Sequence, residues 1–117
     1  MATERYQISL YAENLPNKGW FRRSSPYAVV KVTSGPHAGK ELGETEVIQR
    51  CLSPDWCKIF ILEFSESEIT NIEVTIYDHR DGKEPLYMGE ARFEATSVYQ
   101  SEGRTRDRTI GRNDRSK

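Results

Sequence analysis

The sequence has no run of apolar residues long enough to cross a bilayer, since a spanning helix needs about 20 of them in succession. Its first residues, Met1-Ala2-Thr3-Glu4-Arg5, lack the apolar segment of a secretory leader, so secretion is not expected and any membrane contact is expected to be peripheral. No charge of one sign dominates. The formal net charge is -1, with 17 Lys and Arg against 18 Asp and Glu, and no global field argues for nucleic acid. Soft metal ligands are scarce. Cys51 and Cys57 flank Leu52-Ser53-Pro54-Asp55-Trp56 with no thiol or imidazole at metal-site spacing, and His37 and His79 stand apart in the chain. The thiols read as reduced and structural in a cytosolic protein, with a short disulfide across the turn as the alternative. No Gly-x-Ser-x-Gly, phosphate-cradling loop or His-rich motif occurs, and neither histidine has an evident nucleophile partner. The chain is therefore read as non-catalytic, with Cys57 as a core or interface residue rather than a reactive thiol.

A length of 117 residues suits one domain. Tyr6, Ile8, Leu10 and Ala12 alternate on one face of a first strand. Pro26-Tyr27-Ala28-Val29-Val30-Lys31-Val32 is a β-branched run and a second, and a third is expected near Gly43 to Ile48. Trp56, Phe60, Leu62 and Phe64 share one parity of a fourth. Ile72, Val74 and Ile76 define a fifth, and Gly89 to Ala95 a sixth. Breaker-rich turns separate them, and no long helical period is present. The pattern predicts an all-β fold, an antiparallel β-sandwich of roughly eight strands over residues 4–110. The Arg-rich end carries Arg104, Arg106, Arg108, Arg112 and Arg115. Residues 106–110 are a candidate last edge strand, and 111–117 read as a basic, disordered tail.

After the fifth strand the chain opens into a polar loop with Asp78, Asp81 and Glu84, interrupted by Gly82 and Pro85. A β scaffold that lifts carboxylates to one rim is a candidate site for a hard cation such as calcium. A solvated acidic loop is the alternative.

With these strands in place the chain resembles a C2 domain. Ile8-Ser9-Leu10-Tyr11-Ala12-Glu13-Asn14-Leu15-Pro16 resembles the family's opening strand with its Ala-x-x-Leu signature. Ser24-Ser25-Pro26-Tyr27 resembles the Ser-Asp-Pro-Tyr entry to the next strand. Ser53-Pro54-Asp55-Trp56 resembles the Asn-Pro-x-Trp turn, and Ile76-Tyr77-Asp78 with Met88-Gly89 the frame of the third loop. Thr45 to Pro54 is also similar to the first C2 domain of copines.

The resemblance implies calcium ligation by aspartates on two loops, and the sequence departs from it. Ser25 stands at one aspartate position, Arg80 and Leu86 at two others, and Asn17 to Trp20 hold no carboxylate. Asp78 alone matches. Asp81 and Glu84 are substitutes if the loop is re-threaded.

The first loop points elsewhere. Lys18, Trp20, Phe21, Arg22 and Arg23 set two aromatics among three cations at the same rim. Aromatics partition into the membrane interface, and each cation near an anionic leaflet adds about 1 kcal/mol. The expectation is a cytoplasmic, peripheral module that docks on anionic phospholipid with little or no calcium. A protein-interaction domain without lipid affinity, and calcium-dependent lipid binding through a rearranged third loop, are the alternatives. An incomplete final strand would leave an open edge for homodimer pairing. Arg22-Arg23-Ser24-Ser25 also resembles a basophilic kinase site.

Overall fold

The structure is a computed structural model describing residues 4–18, 23–35, 38–64 and 70–94. Six strands follow in chain order: β1 (Glu4–Ile8), β2 (Pro26–Val32), β3 (Glu41–Glu44), β4 (Phe60–Phe64), β5 (Asn71–Asp78) and β6 (Leu86–Glu94). Among the described residues they form two antiparallel sheets, one of β1 and β4 and one ordered β3-β2-β5-β6. The all-β prediction holds, and no helix occurs among the described residues.

Period two decides what faces the core. On β2, Pro26, Ala28, Val30 and Val32 point inward, while on β5 Ile72, Val74, Ile76 and Asp78 do so. Phe60 and Leu62 of β4 meet them across the sandwich, with Ile8 of β1 packed against both apolar clusters. Met88 and Ala91 of β6 extend the buried face of the same sheet as β2 and β5. Each such large side chain contributes about 1.5–3 kcal/mol on full burial.

Several strand boundaries differ from the pattern: β1 ends at Ile8 rather than running to Ala12, and at β3, β4 and β6 the reason is visible. β3 ends at Glu44 rather than running to Ile48. There Thr45 turns its side chain into the ladder: its Oγ1 accepts the Ala28 N–H at 2.8 Å, and its own N–H goes to the Ala28 carbonyl. β4 begins only at Phe60, because the Glu46 carboxylate takes the N–H groups of Cys57 and Lys58, at 2.6 and 3.2 Å. Trp56 therefore lies in the entering loop, yet it keeps its parity and is buried. β6 starts at Leu86, three residues ahead of Gly89, and absorbs the extra residue in a register shift at Ile76/Tyr77. The candidate last strand, 106–110, and the tail lie outside the described residues. Cys51 and Cys57 are both free thiols.

Trp56 anchors the loop end of the core. Its Nε1–H donates to the Pro26 carbonyl at 3.3 Å, which satisfies a buried polar group on each side. Trp56→Ala is expected to cost about 3–5 kcal/mol of stability, and Trp56→Phe only about 0.5–1.5 kcal/mol, since the Pro26 carbonyl keeps the Ile48 N–H at 3.1 Å. Urea unfolding followed by far-UV circular dichroism measures both.

Candidate functional site

β2 starts where β3 and β5 end, so three loops converge beside Pro26. They are the β1–β2 connection, the segment after β3, and the β5–β6 turn. Ser24 and Ser25 sit at the meeting point, with 1% and 4% of their surface exposed. Each contacts more than one loop. Ser24 Oγ accepts the Lys18 N–H at 2.7 Å, its N–H donates to Asn17 Oδ1 at 3.1 Å, and its carbonyl receives Cys51 N–H at 3.0 Å. The Ser25 N–H donates to Asp78 Oδ1 at 2.8 Å, and its carbonyl receives His79 N–H at 2.9 Å. Ser25 Oγ accepts the Arg50 N–H at 3.0 Å and faces Gln49 Oε1 at 3.4 Å. Arg50 has φ 51°, a left-handed conformation that an ordinary side chain adopts at a cost of about 1–2 kcal/mol. The Ser25 hydroxyl fixes the N–H that this turn presents.

The serine pair was legible only in part. Ser25 stands out as a serine at an aspartate position, but the roles of Ser24, Asn17, Gln49 and Arg50 need the fold. With both hydroxyls buried and engaged, the kinase-site resemblance of Arg22-Arg23-Ser24-Ser25 has no accessible acceptor oxygen in this conformation.

Asp78 is the last residue of β5, not a loop residue, and only 4% of it is exposed. Its alternation with Ile72, Val74 and Ile76 turns its carboxylate inward against Ser25. Asp81 and Glu84 stand on the exposed turn, and Asp81 Oδ1 meets His79 Nε2 at 3.0 Å. That contact is largely solvated and contributes little. Among the described residues no three of His, Cys, Asp and Glu are grouped to hold a metal ion. The donor set does not suit calcium, which takes six to eight oxygens. Asp78, the one buried carboxylate among the described residues, already bonds a backbone amide.

Cations occupy the rim instead. Lys18 and Arg23 are exposed on either side of residues 19–22. Trp20, Phe21 and Arg22 lie outside the described residues. Across the rim, Arg80 and Lys83 line an open groove with Tyr27, His79, Gly82, Glu84 and Pro85.

Set beside known proteins, the whole arrangement has a family. The profile described as C2 domain matches residues 8–110. The chain belongs to the C2 domain family. Protein C2-DOMAIN ABA-RELATED 4 of Arabidopsis thaliana is 35% identical over 71 residues, covering 61% of this chain and 36% of that protein. This C2 domain thus spans about a third of that relative's length. Among solved structures, the C2A domain of plant Extended Synaptotagmin 1 superposes with a TM-score of 0.63 at 20% identity, covering 77% of this chain and 66% of that one. Human GIVD cytosolic phospholipase A2 gives a TM-score of 0.68 at 19% identity over 82% of this chain and 12% of that one. At such identities these likenesses speak for the fold.

Two measurements test the site. Asp78→Ala strands the buried Ser25 N–H and is expected to cost about 1.5–3 kcal/mol. Asp78→Asn keeps an accepting oxygen and should cost less than half as much. A loss below about 0.5 kcal/mol for Asp78→Ala would deny the hub its importance. The second concerns Glu46, whose carboxyl is held below the ordinary glutamate range, foremost by the Cys57 N–H it accepts. A depressed folded-state pKa gives stability that is present above the unfolded value and lost as pH falls through the folded one. The melting temperature of Glu46→Gln should therefore fall less than that of the parent as pH drops below the ordinary glutamate range.

Proposed function

We infer that this C2 domain is a non-catalytic targeting module that docks on anionic phospholipid membranes with little or no calcium dependence, in the cytoplasm. The observation that carries the reading is the state of Asp78. Its carboxylate is spent on Ser25 N–H, and among the described residues no group of three metal-ligating side chains forms, while Lys18, Arg23, Arg80 and Lys83 stand at the same rim. A divalent ion brought there would meet mostly like charge, whereas an anionic leaflet meets opposite charge. Trp20, Phe21 and Arg22, next in sequence to Lys18 and Arg23, would add interfacial and electrostatic attraction. Within the family, the Thr45–Pro54 segment favours a place near the first C2 domain of copines. No helix among the described residues is long and apolar enough to cross a membrane, and the proposed contact is peripheral. The domain would occupy residues 4–110, with 111–117 as a basic tail.

Pelleting with phosphatidylserine-containing vesicles, in calcium or in chelator, tests this. Binding is expected in chelator and should weaken about fivefold for each of Arg22→Ala and Arg23→Ala. It should also fall as salt is raised. Trp20→Ala together with Arg22→Ala should abolish pelleting. Binding that appears only with calcium and vanishes in Asp78→Asn would overturn the reading, and no binding in either condition would leave protein recognition as the module's task.

A further inference from the structure

The larger sheet has a second, outward face that the rim does not use. Register places Tyr27 opposite Tyr77 and Tyr77 opposite Tyr87, so three tyrosines from β2, β5 and β6 form a row across the strands. Their ring centroids lie 5.8 Å apart for Tyr27 and Tyr77, tilted by 30°, and 6.4 Å for Tyr77 and Tyr87, edge to face. None of the three is buried, and Tyr87 is 39% exposed. The adjacent row across the same sheet begins with Glu44 on β3 and ends with Glu90 on β6. Glu44 is exposed and near enough to add to the rise in the Tyr27 hydroxyl pKa, which burial chiefly causes.

This face already holds one guanidinium. Arg92 places a single terminal nitrogen 2.9 Å from Glu73 and 3.1 Å from Glu90. Glu73 and Glu90 are thus taken by the chain's own guanidinium, and the exposed carboxylate that acts on the tyrosine row is that of Glu44. A planar guanidinium stacks on tyrosine and bonds carboxylate oxygens at its edge, which the compact ammonium of lysine does less well. An anionic lipid headgroup is repelled by the same carboxylates, and a purely apolar segment would bury them unpaired.

We propose that the outward face of the β3-β2-β5-β6 sheet, through Tyr27, Tyr77 and Glu44, binds an arginine-bearing extended segment of a partner protein. This surface adjoins the cationic rim at Tyr27, which also lines the groove with Arg80 and Lys83, but the proposal does not depend on lipid binding there.

The full chain is titrated by fluorescence polarisation into two labelled peptides, one of alternating Arg and Ser and one of alternating Lys and Ser, at physiological salt. The Arg peptide should bind about tenfold more tightly than the Lys peptide. Tyr27→Leu with Tyr77→Leu should remove most of that preference, and Glu44→Gln should weaken the Arg peptide about threefold. Equal affinity for the two peptides would overturn the proposal, as charge alone would then explain binding. Arg-peptide binding unchanged in Glu44→Gln, a surface substitution that leaves the core intact, would overturn it too. Peptide displaced by anionic vesicles from the parent but not from Arg22→Ala with Arg23→Ala would place the peptide at the rim and likewise refute it. The first two comparisons stand even if the double tyrosine variant fails to fold.

Discussion

The hydrogen bond from Ser25 N–H to Asp78 Oδ1 is the contact on which the functional end depends. Removing an ionised carboxylate from water costs several kcal/mol unless hydrogen bonds replace the lost hydration. Asp78 is forced inward because it continues the alternation that buries Ile72, Val74 and Ile76. One amide at 2.8 Å is the partner the structure supplies. That bond fixes Ser25, and Ser25 with Ser24 then fixes the turn at Gln49 to Cys51, the base of the first loop at Asn17 and Lys18, and the start of the β5–β6 turn at His79. A divalent ion could tie such loops by sharing carboxylates among them. Here backbone amides and two hydroxyls do so, and the geometry of the rim does not wait on an ion.

The same substitution of side chain for backbone explains where pattern reading stopped short. Parity along β2 and β5, and the inward set Trp56, Phe60 and Leu62, follow from the sequence because burial enforces period two. Strand ends obey a different rule. Thr45 offers its hydroxyl where the next ladder bond belongs, and Glu46 reaches across to the amides of Cys57 and Lys58. Both residues look like ordinary polar positions of a strand. Nothing in their type says that a side chain rather than a carbonyl will close the ladder.

The candidate site was readable to a similar depth. Asp78, Arg80 and Ser25 were legible as a departure from a cation site because each occupies a position in a known frame. The burial of Asp78 was legible too, since it shares parity with Ile72, but the acidic residues that follow it suggested a loop. The tyrosine row was not legible at all. Tyr27, Tyr77 and Tyr87 lie far apart in sequence, and only the β2–β5 and β5–β6 registers bring their rings together. Long-range register is the information that a single sequence holds least directly.

A formal net charge of -1 conceals a division of charge between two surfaces. Lys18, Arg23, Arg80 and Lys83 stand at the loop rim, while Glu44, Glu73 and Glu90 stand on the outward face of the sheet. Tyr27 borders both, lining the rim groove and heading the tyrosine row. At physiological salt a charge is felt over about 8 Å, so at Tyr27, which lies in both, the two fields meet. Against an anionic leaflet the rim is drawn in and the carboxylate face is pushed away. The domain would then stand on its loops with the sheet face turned to solvent. That orientation would leave the outward sheet face open to a basic segment, with Tyr27 the point at which the two partners meet.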